Sequence, residues 1–578
     1  MSEVVAELMA QQNSAAQPPA GAADQPAEIR WVDVLATQLL ALHPNTAPQV
    51  YSTVHSWILG LGDALAQGDT CLMLAENSLA ISAALAHPLV VRAVDADQKP
   101  APLVYDGQRL YFWRQWHEEY ALARQLAKLL TPQPAVQVSL PSNDQANALQ
   151  RAAIELAARQ PFSIITGGPG TGKTFTLVRI VRALQAAQPE LRIALAAPTG
   201  KAAQRMQAVL SAEFSQAGIA MGNMQTAQTV HRLLGLGGAA PRYHAKNLLP
   251  FDLIVIDEGS MLDLALASQL FAAIGAGTRL IILGDANQLA AVDAGAVLAD
   301  LSEATQLAAY RIELQESRRF DPKQGIGRLA AAVLNNDRMA IGQALAASAT
   351  NGGQVQHYVP DEAKPETSYA LLWQGFAAYI DALQQRAPVT ELLAELFACF
   401  EQYRILCAQR SGLFGTQQVN RAMSSRLQLA LGIRKSRQQE WYHGRPVLVT
   451  RNDYGLRLSN GDIGLCLADE QGRWQLHFSH LAEPIAVTRV AVEQLETAFA
   501  LTIHKSQGSE FQRVAMLLDP KAGGLLSREL VYTAITRAKQ QIDVWATPEV
   551  LRYAVSRRTL RQTGLGEQLA VVLGAKAV

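Results

Sequence analysis

At 578 residues, 49% of them hydrophobic and 17% charged, the chain is a packed globular protein, and a prior of ~150 residues per domain suggests about four units. Lys plus Arg and Asp plus Glu are equal at 50 each, which excludes a global field for nucleic acid while leaving room for a local basic groove. Cys71, Cys399, Cys407 and Cys466 lack C-x-x-C spacing, no basic n-region precedes Arg30 and no apolar run nears the ~18 residues of a membrane span, so disulfide, zinc, secretory and membrane classes are set aside and a cytoplasmic location is expected.

Residues 1–28, rich in Ala, Gln and Pro, read as a disordered tail. Residues 29–140 read as a small, mostly helical module. Val34, Leu35, Leu39 and Leu40 space as one helix, and Val54, Trp57, Ile58 and Leu61 as another. A hairpin is expected at Asp106-Gly107, followed by a helix that opens at Trp113 and Trp116 and runs to Leu130. Trp31, Trp57, Tyr105, Tyr111, Trp113 and Trp116 either fill a small core or anchor a partner. No catalytic constellation falls in this module, and it is not expected to build the site that follows.

Proline-rich turns over 131–144 mark a linker. Next, Ile164-Ile165-Thr166 reads as a buried strand that breaks into Gly167, Gly168, Pro169, Gly170, Thr171, Gly172, Lys173 and Thr174, and a helix follows from Phe175. This is G-x-x-x-x-G-K-[ST] in strand, loop and helix order, the setting of a phosphate-binding loop. Glycines let backbone N–H groups crowd around the β- and γ-phosphates, and the helix N-terminus adds a favourable dipole. Lys173 is expected to reach the phosphates, and the Thr174 hydroxyl to ligate Mg²⁺.

Strands over 192–197, 252–258 and 279–285 each end in polar residues, as an open parallel sheet with its ligand at that edge predicts. Asp257 is expected to hold Mg²⁺ through water, and Glu258 to polarise the attacking water. Gln288 is placed to sense the γ-phosphate or order that water. A second αβ series starts near 403 and resumes at 498, and between them short alternating strands with Gly and Asn turns read as an inserted β-barrel. The organisation expected is one sheet domain over 141–345 and a second over 346–578, with an SH3-like barrel at about 436–489. Arg319 and Arg537 are arginine-finger candidates, cations offered to a transferred phosphoryl group from across a cleft.

This order of motifs resembles the superfamily 1 DNA helicases of the 5′-to-3′ branch, and within them the motor subunits of RecBCD-type helicase–nucleases. Besides the phosphate loop, the resemblance rests on Gln150 seventeen residues before it, residues 197–206, 229–234, 257–261, 284–289, Arg319, 501–511 and 531–539. Segments 407–415 and 460–464 match as well, so the likeness covers 140–578 strongly and the N-terminal module loosely. The chain departs from the family at Gly259, where Ala is usual, and at Arg318, where an aromatic is frequent. Arg319 matches the finger by position, and which of Arg318 and Arg319 faces the phosphate stays open.

The resemblance implies an α/β chain with two RecA-like P-loop domains and parallel sheets, and ATP with Mg²⁺ as its ligands. It gives Gln150 the reading of adenine. It places Thr199, His231, Thr450, Asn452, Thr502 and His504 along a single-strand path, where hydroxyls, amides and imidazoles suit sequence-blind backbone contacts. It further implies 5′-to-3′ translocation on single-stranded DNA from duplex ends. The implied partners are a RecB-type helicase–nuclease and a RecC-type scaffold, in a heterotrimer for double-strand break repair and DNA degradation. The N-terminal module would fasten the motor to that scaffold, and nuclease activity would come only through a partner. Two other readings remain: a free-standing helicase of the same branch, and an ATP-dependent switch or assembly factor that moves nothing.

Overall fold

The computed structural model describes residues 30–574 apart from 75–78, 140–144, 238–240, 318, 320, 322, 347–352, 386–387, 434–439, 454 and 470. The expected tail over 1–28, the end of the linker, Arg318 and the start of the expected barrel near 436 lie outside the described residues.

The first structured segment pairs the helices Trp31–Ala41 and Pro48–Ala66 with a sheet of β1 (Leu72–Met73), β2 (Val90–Arg92), β3 (Leu103–Tyr105) and β4 (Arg109–Phe112) in the order β1-β4-β3-β2. β3 and β4 form the hairpin at Asp106-Gly107, with Gly107 at φ +111° and the Asp106 carboxylate accepting from the N–H groups of Gln108 and Arg109. A glycine in that left-handed region avoids the Cβ penalty, and the Asp cap holds the turn closed. The helix Trp113–Leu129 follows. Of Trp31, Trp57, Tyr105, Tyr111, Trp113 and Trp116 only Trp31 is exposed.

Aliphatic runs too short for helices, each followed by a helix, can pair in parallel only through crossovers. Accordingly β5 (Phe162–Gly167), β6 (Ile193–Ala197), β7 (Gln228–Thr229), β8 (Leu253–Ile256), β9 (Arg279–Gly284) and β10 (Arg311–Leu314) form one wholly parallel sheet, ordered β10-β5-β9-β8-β6-β7. β8 and β9 are buried throughout, as central strands covered on both faces must be.

A second parallel sheet takes β11 (Val355–Tyr358) and β12 (Tyr403–Cys407). Between β12 and its later strands the chain inserts β13 (Arg445–Val449), β14 (Ile463–Ala468), β15 (Trp474–Phe478), β16 (Ile485–Ala486) and β17 (Leu495–Thr497). β18 (Ala500–Thr502), β19 (Phe511–Leu517) and β20 (Ala538–Trp545) then complete the order β11-β20-β19-β12-β18. The chain is thus α/β, with two RecA-like parallel sheets. The insertion is a five-stranded antiparallel sheet, β16-β15-β14-β13-β17, whose two end strands do not pair with each other. Among the described residues no helix is long and apolar enough to cross a membrane.

Two helices from distant parts of the chain pack on its first sheet. Leu122, Leu126 and Leu129 of the Trp113–Leu129 helix share one core with Phe162, Ile254 and Leu270 and with Leu565 and Leu569 of the last helix, Leu565–Gly574. The Trp113–Leu129 helix is therefore part of the packing beneath the phosphate-loop sheet, while Val32, Leu40, Val54, Trp57, Ile58 and Leu103 close a separate small core. The Leu565–Gly574 helix lies on that core too, although it follows the strands of the second sheet in the chain.

At this junction Glu119 is fully buried. Its carboxylate accepts from the Thr70 hydroxyl at 2.6 Å, the Gly564 N–H at 3.2 Å and the Gln568 amide at 3.0 Å. Burial pushes its pKa from 4.5 to about 8, against the lowering effect of the Thr70 and Gly564 hydrogen bonds. Turning over the Gln568 amide would offer its unpartnered carbonyl to a protonated Glu119. Nearby Asp300, which accepts from Thr563, is likewise raised by burial to about 7. Because the folded chain binds the Glu119 proton more tightly than the unfolded chain, the stability it confers is full below 4.5 and is lost as pH rises through about 8. Glu119→Gln removes the ionisation. Its melting temperature should fall less than that of the wild type between about pH 6 and about pH 9, as read by thermal denaturation across pH.

Candidate functional site

Parallel register brings the loops to one edge. Thr166 pairs with Gly284, Gly167 with Leu314 and Ile256 with Ile282, so the phosphate loop, Asp285 and the Asp257-Glu258 pair leave neighbouring strands side by side. The helix Lys173–Ala187 begins with Gly172 at φ +85° as its N-cap, a geometry that points N–H groups into the loop. The Lys173 ammonium donates to the carbonyls of Gly167 and Gly168 at 2.6 and 3.1 Å, and Thr171 donates to Gly168 at 2.8 Å. The Pro169 carbonyl accepts from Ser317 at 3.0 Å. A Cβ on Gly170 would come within 2.4 Å of the Arg319 Cβ, so the loop and the Arg319 segment pack in direct contact.

Gln150 sits beneath the loop. Its carbonyl accepts the Asn147 N–H in a capping box, and its amide donates to the Thr171 carbonyl at 3.2 Å.

Asp257 is held by the Glu258 N–H at 2.9 Å. Burial, then the Glu258 charge, raises its pKa to about 6, with Lys173 and Arg205 pulling the other way. Glu258 itself stands at φ +53°, a left-handed conformation that costs a non-glycine residue ~1–3 kcal/mol. Gly259 explains the departure from the family's alanine: a Cβ there would lie 2.6 Å from the Ile282 Cγ2 and 3.1 Å from the Leu283 carbonyl. Thr174, Asp257 and Glu258 line one cleft with Lys173. Two adjacent half-buried carboxylates beside a hydroxyl fit a divalent cation held mainly by nucleotide phosphates and water. Among the described residues no cluster of three or more His, Cys, Asp or Glu side chains could hold a metal by protein ligands alone.

The cleft also takes residues of the second sheet. Arg537 is buried at the end of the helix Arg528–Thr536. It donates to the Gln288 side-chain carbonyl at 2.8 Å and to the Ser509 and Thr533 carbonyls. Gln288 in turn donates to Asp285 at 3.1 Å, which also accepts from the Tyr532 hydroxyl at 3.2 Å. The Leu289 N–H meets Thr533, and its carbonyl meets Gln507 at 2.6 Å. Arg319 pairs through both terminal nitrogens with Glu510, at 2.7 and 3.0 Å. Arg205, Glu510 and Tyr532 were not singled out from the sequence, although all three lie in segments that carry the resemblance. An acid in the otherwise basic and polar stretch 501–511 is the signal that marks Glu510.

The expected single-strand residues mostly carry local structure. Thr199 caps the helix Gly200–Gln216, Thr502 accepts the Lys505 N–H, and Asn452 accepts the Asn460 N–H at 2.8 Å. Thr450 binds Gln494 by its backbone N–H, next to the end of β13. Burial, then the Arg561 charge, lowers the His504 pKa. The structure brings the Thr199, Thr502 and insertion segments together: a Cβ on Gly508 would sit 3.2 Å from the Thr199 hydroxyl, and one on Gly200 would sit 3.0 Å from Ser459. His231 stands apart from these, exposed in a hollow shared with Arg114, Glu118 and Asp263.

Two family models match the chain, an AAA domain over 150–294 and a UvrD-like helicase C-terminal domain over 497–542. The RecBCD enzyme subunit RecD of Mycobacterium tuberculosis is 37% identical over 487 residues, 81% of this chain and 82% of that protein. The protein of the same name from Haemophilus influenzae is 33% identical over 543 residues, 81% of each. The ATP-dependent RecD2 DNA helicase of Deinococcus radiodurans is 28% identical over 73% of this chain and 52% of its own length. A Bacteroides Pif1 structure bound to ssDNA aligns at a TM-score of 0.38 and 17% identity over 71% of this chain and 94% of that one, a likeness too slight to decide anything here.

Two substitutions separate the parts of the cleft. Lys173→Gln should cut DNA-stimulated ATP hydrolysis by more than ~100-fold, because the loop loses the cation beside the phosphates. Arg537→Ala should keep affinity for a non-hydrolysable ATP analogue while turnover collapses, if the arginine acts on the transition state. Equal losses in binding and turnover for Arg537→Ala would assign it to structure or to ground-state binding.

Proposed function

The chain belongs to the RecD family and is an ATP-dependent DNA helicase, and from that premise we propose that it moves 5′ to 3′ on single-stranded DNA as the motor subunit of a RecBCD-type complex. The observation that carries the mechanism is the convergence of groups from both parallel sheets on one cleft: the phosphate loop, Asp257 and Glu258 from the first, Arg537 from the second.

ATP would bind across that seam. The loop N–H groups and Lys173 take the phosphates, Glu258 orients the attacking water, and Arg319 and Arg537 meet the charge that develops on the transferred group. Thr174 and Asp257 would hold Mg²⁺, which supplies further neutralisation of that charge. Gln288, bound to Arg537, links nucleotide state to the relative position of the two sheets. The DNA-contact segments lie on both sides of the same seam, Thr199 in the first sheet domain and Thr502 in the second. Closing and reopening would shift the strand stepwise past Thr450, Asn452 and His504.

The RecD relatives are named as RecBCD enzyme subunits. We extend that to a heterotrimer with RecB-type and RecC-type chains, acting in the cytoplasm on duplex ends in double-strand break repair and DNA degradation. Polarity is tested by unwinding. Duplexes with a 5′ single-stranded tail should be opened in preference to those with a 3′ tail, and unwinding from 3′ tails alone would place the chain in the opposite branch.

For docking to the scaffold we assign the outer face of the first helix, where Trp31 is 59% exposed and Leu42 71% exposed, with Val34 between them. Large apolar side chains held out in water suit a partner's pocket. Changing Trp31 and Leu42 to Ser should lower recovery of RecB- and RecC-type chains by more than ~10-fold in a native purification, with melting temperature unchanged. Recovery at the wild-type level would move docking elsewhere.

A further inference from the structure

The cleft gathers more cations than anions on the side that faces Arg319. One carboxylate answers them. Glu510, which immediately precedes β19, places one oxygen 2.7 Å from an Arg319 nitrogen. The other oxygen lies 3.0 Å from Arg319, 3.0 Å from Arg205 and 3.7 Å from the Lys539 ammonium. Arg205 and Arg319 come from the first sheet domain and Lys539 from the second, so Glu510 is the point through which charge on both sides of the seam is balanced. Its side chain is only 10% exposed. Burial alone would raise its pKa, but Arg205, Arg319 and Arg537 overcome that and hold it at about 2. A carboxylate held that low is ionised at neutral pH.

The geometry is the one a phosphate would take. Two parallel N–H···O bonds from a guanidinium are how arginine binds carboxylate and phosphoryl oxygens alike. Arg319 is attached to the phosphate loop: its backbone N–H donates to Ser317, Ser317 donates to Pro169, and its Cβ touches Gly170. A guanidinium anchored there is within a side chain's length of both Glu510 and the loop.

We propose that Glu510 competes with the terminal phosphate of ATP for Arg319, so that it sets the affinity for triphosphate against diphosphate and draws Arg319 back as the cleaved phosphate leaves. The proposal rests on the reading of this cleft as the ATP site. It gives Glu510 a positioning role, exerted through Arg319, with no bond of its own to the nucleotide. The competition opposes only ligands that carry a γ-phosphate, and this separates it from a merely structural ion pair.

The test uses the full chain in the complex with which it purifies. Dissociation constants for a non-hydrolysable ATP analogue and for ADP are compared between wild type and Glu510→Gln. The analogue should bind about tenfold tighter to the variant, the scale of one charge-assisted pair, while ADP stays within about twofold. In steady state KM for ATP should fall together with kcat, because phosphate leaves a cleft that no longer recaptures its arginine. Glu510→Asp, which keeps the charge on a shorter arm, should shift the analogue in the same direction by less. Unchanged ADP affinity also shows that the variant is folded. Looser analogue binding, or an equal change for analogue and ADP, overturns the competition. Absence of DNA-stimulated hydrolysis in the wild type overturns the reading of the cleft and this proposal with it.

Discussion

Parallel pairing of β5 with β9 and β10, and of β9 with β8, is the constraint on which the rest of the molecule depends. It turns every strand the same way, so each C-terminal end delivers its loop to one edge. The phosphate loop, Asp285 and Asp257 are neighbours because their strands are in register, although more than a hundred residues separate Gly170 from Asp285. The second sheet obeys the same rule, with Leu517 paired to both Cys407 and Trp545. Its loops therefore face the first edge. A seam between two such edges is where strained and charged groups can be held at tolerable cost.

That cost is visible in particular residues. Glu258 is left-handed, Asp257 and Asp285 are carboxyls buried against their preference for water, and Arg537 is nearly sealed from solvent. The two aspartates and the arginine are offset by defined partners: a backbone N–H for Asp257, Tyr532 and Gln288 for Asp285, three acceptors for Arg537. Two of these ties cross the seam, Tyr532 to Asp285 and Arg537 to Gln288, and Thr533 to Leu289, Gln507 to Leu289 and Arg319 to Glu510 cross it beside them. The two sheets are thus joined less by a continuous apolar core than by polar bonds, which have strict distance requirements and break over small displacements. A joint of that kind suits two bodies that must part and meet repeatedly. Leu289, packed in the core of the second sheet while belonging to a loop of the first, is the apolar exception.

Much of this was legible before any coordinates. The G-x-x-x-x-G-K-[ST] loop, the strands ending at Asp257 and Asp285, the Asp106-Gly107 hairpin and the two sheet series follow from local pattern, because period, turn chemistry and strand length are properties of neighbouring residues. Glu510 and Arg205 were not legible as a pair: their meaning arises only when two segments about three hundred residues apart share a cleft. The same holds for the first segment. Its helices were readable, but the burial of Leu122 and Leu126 against Phe162 and Leu565 was not, since amphipathic spacing shows that a face is covered without showing by what. The inserted strands were readable as strands; how their ends pair depends on twist and register that spacing does not encode. At Gly259 a family's alanine was a poor guide, because the approach of Ile282 is decided by packing in this chain.

The hydrogen bonds from Gly564 and Gln568 to Glu119 join residues 445 and 449 positions apart. During synthesis the Trp113–Leu129 helix leaves the ribosome long before the helix that covers it exists. At ~5–20 residues per second the wait is tens of seconds. Through that interval Leu122, Leu126 and the Glu119 carboxylate face water or whatever holds the nascent chain, and the first sheet grows over an unfinished foundation. The Leu565–Gly574 helix is what seals it. A ribosome that stops before Leu565 would therefore release a chain with every nucleotide-binding motif present and its deepest core open, a substrate for chaperones and proteases rather than a motor.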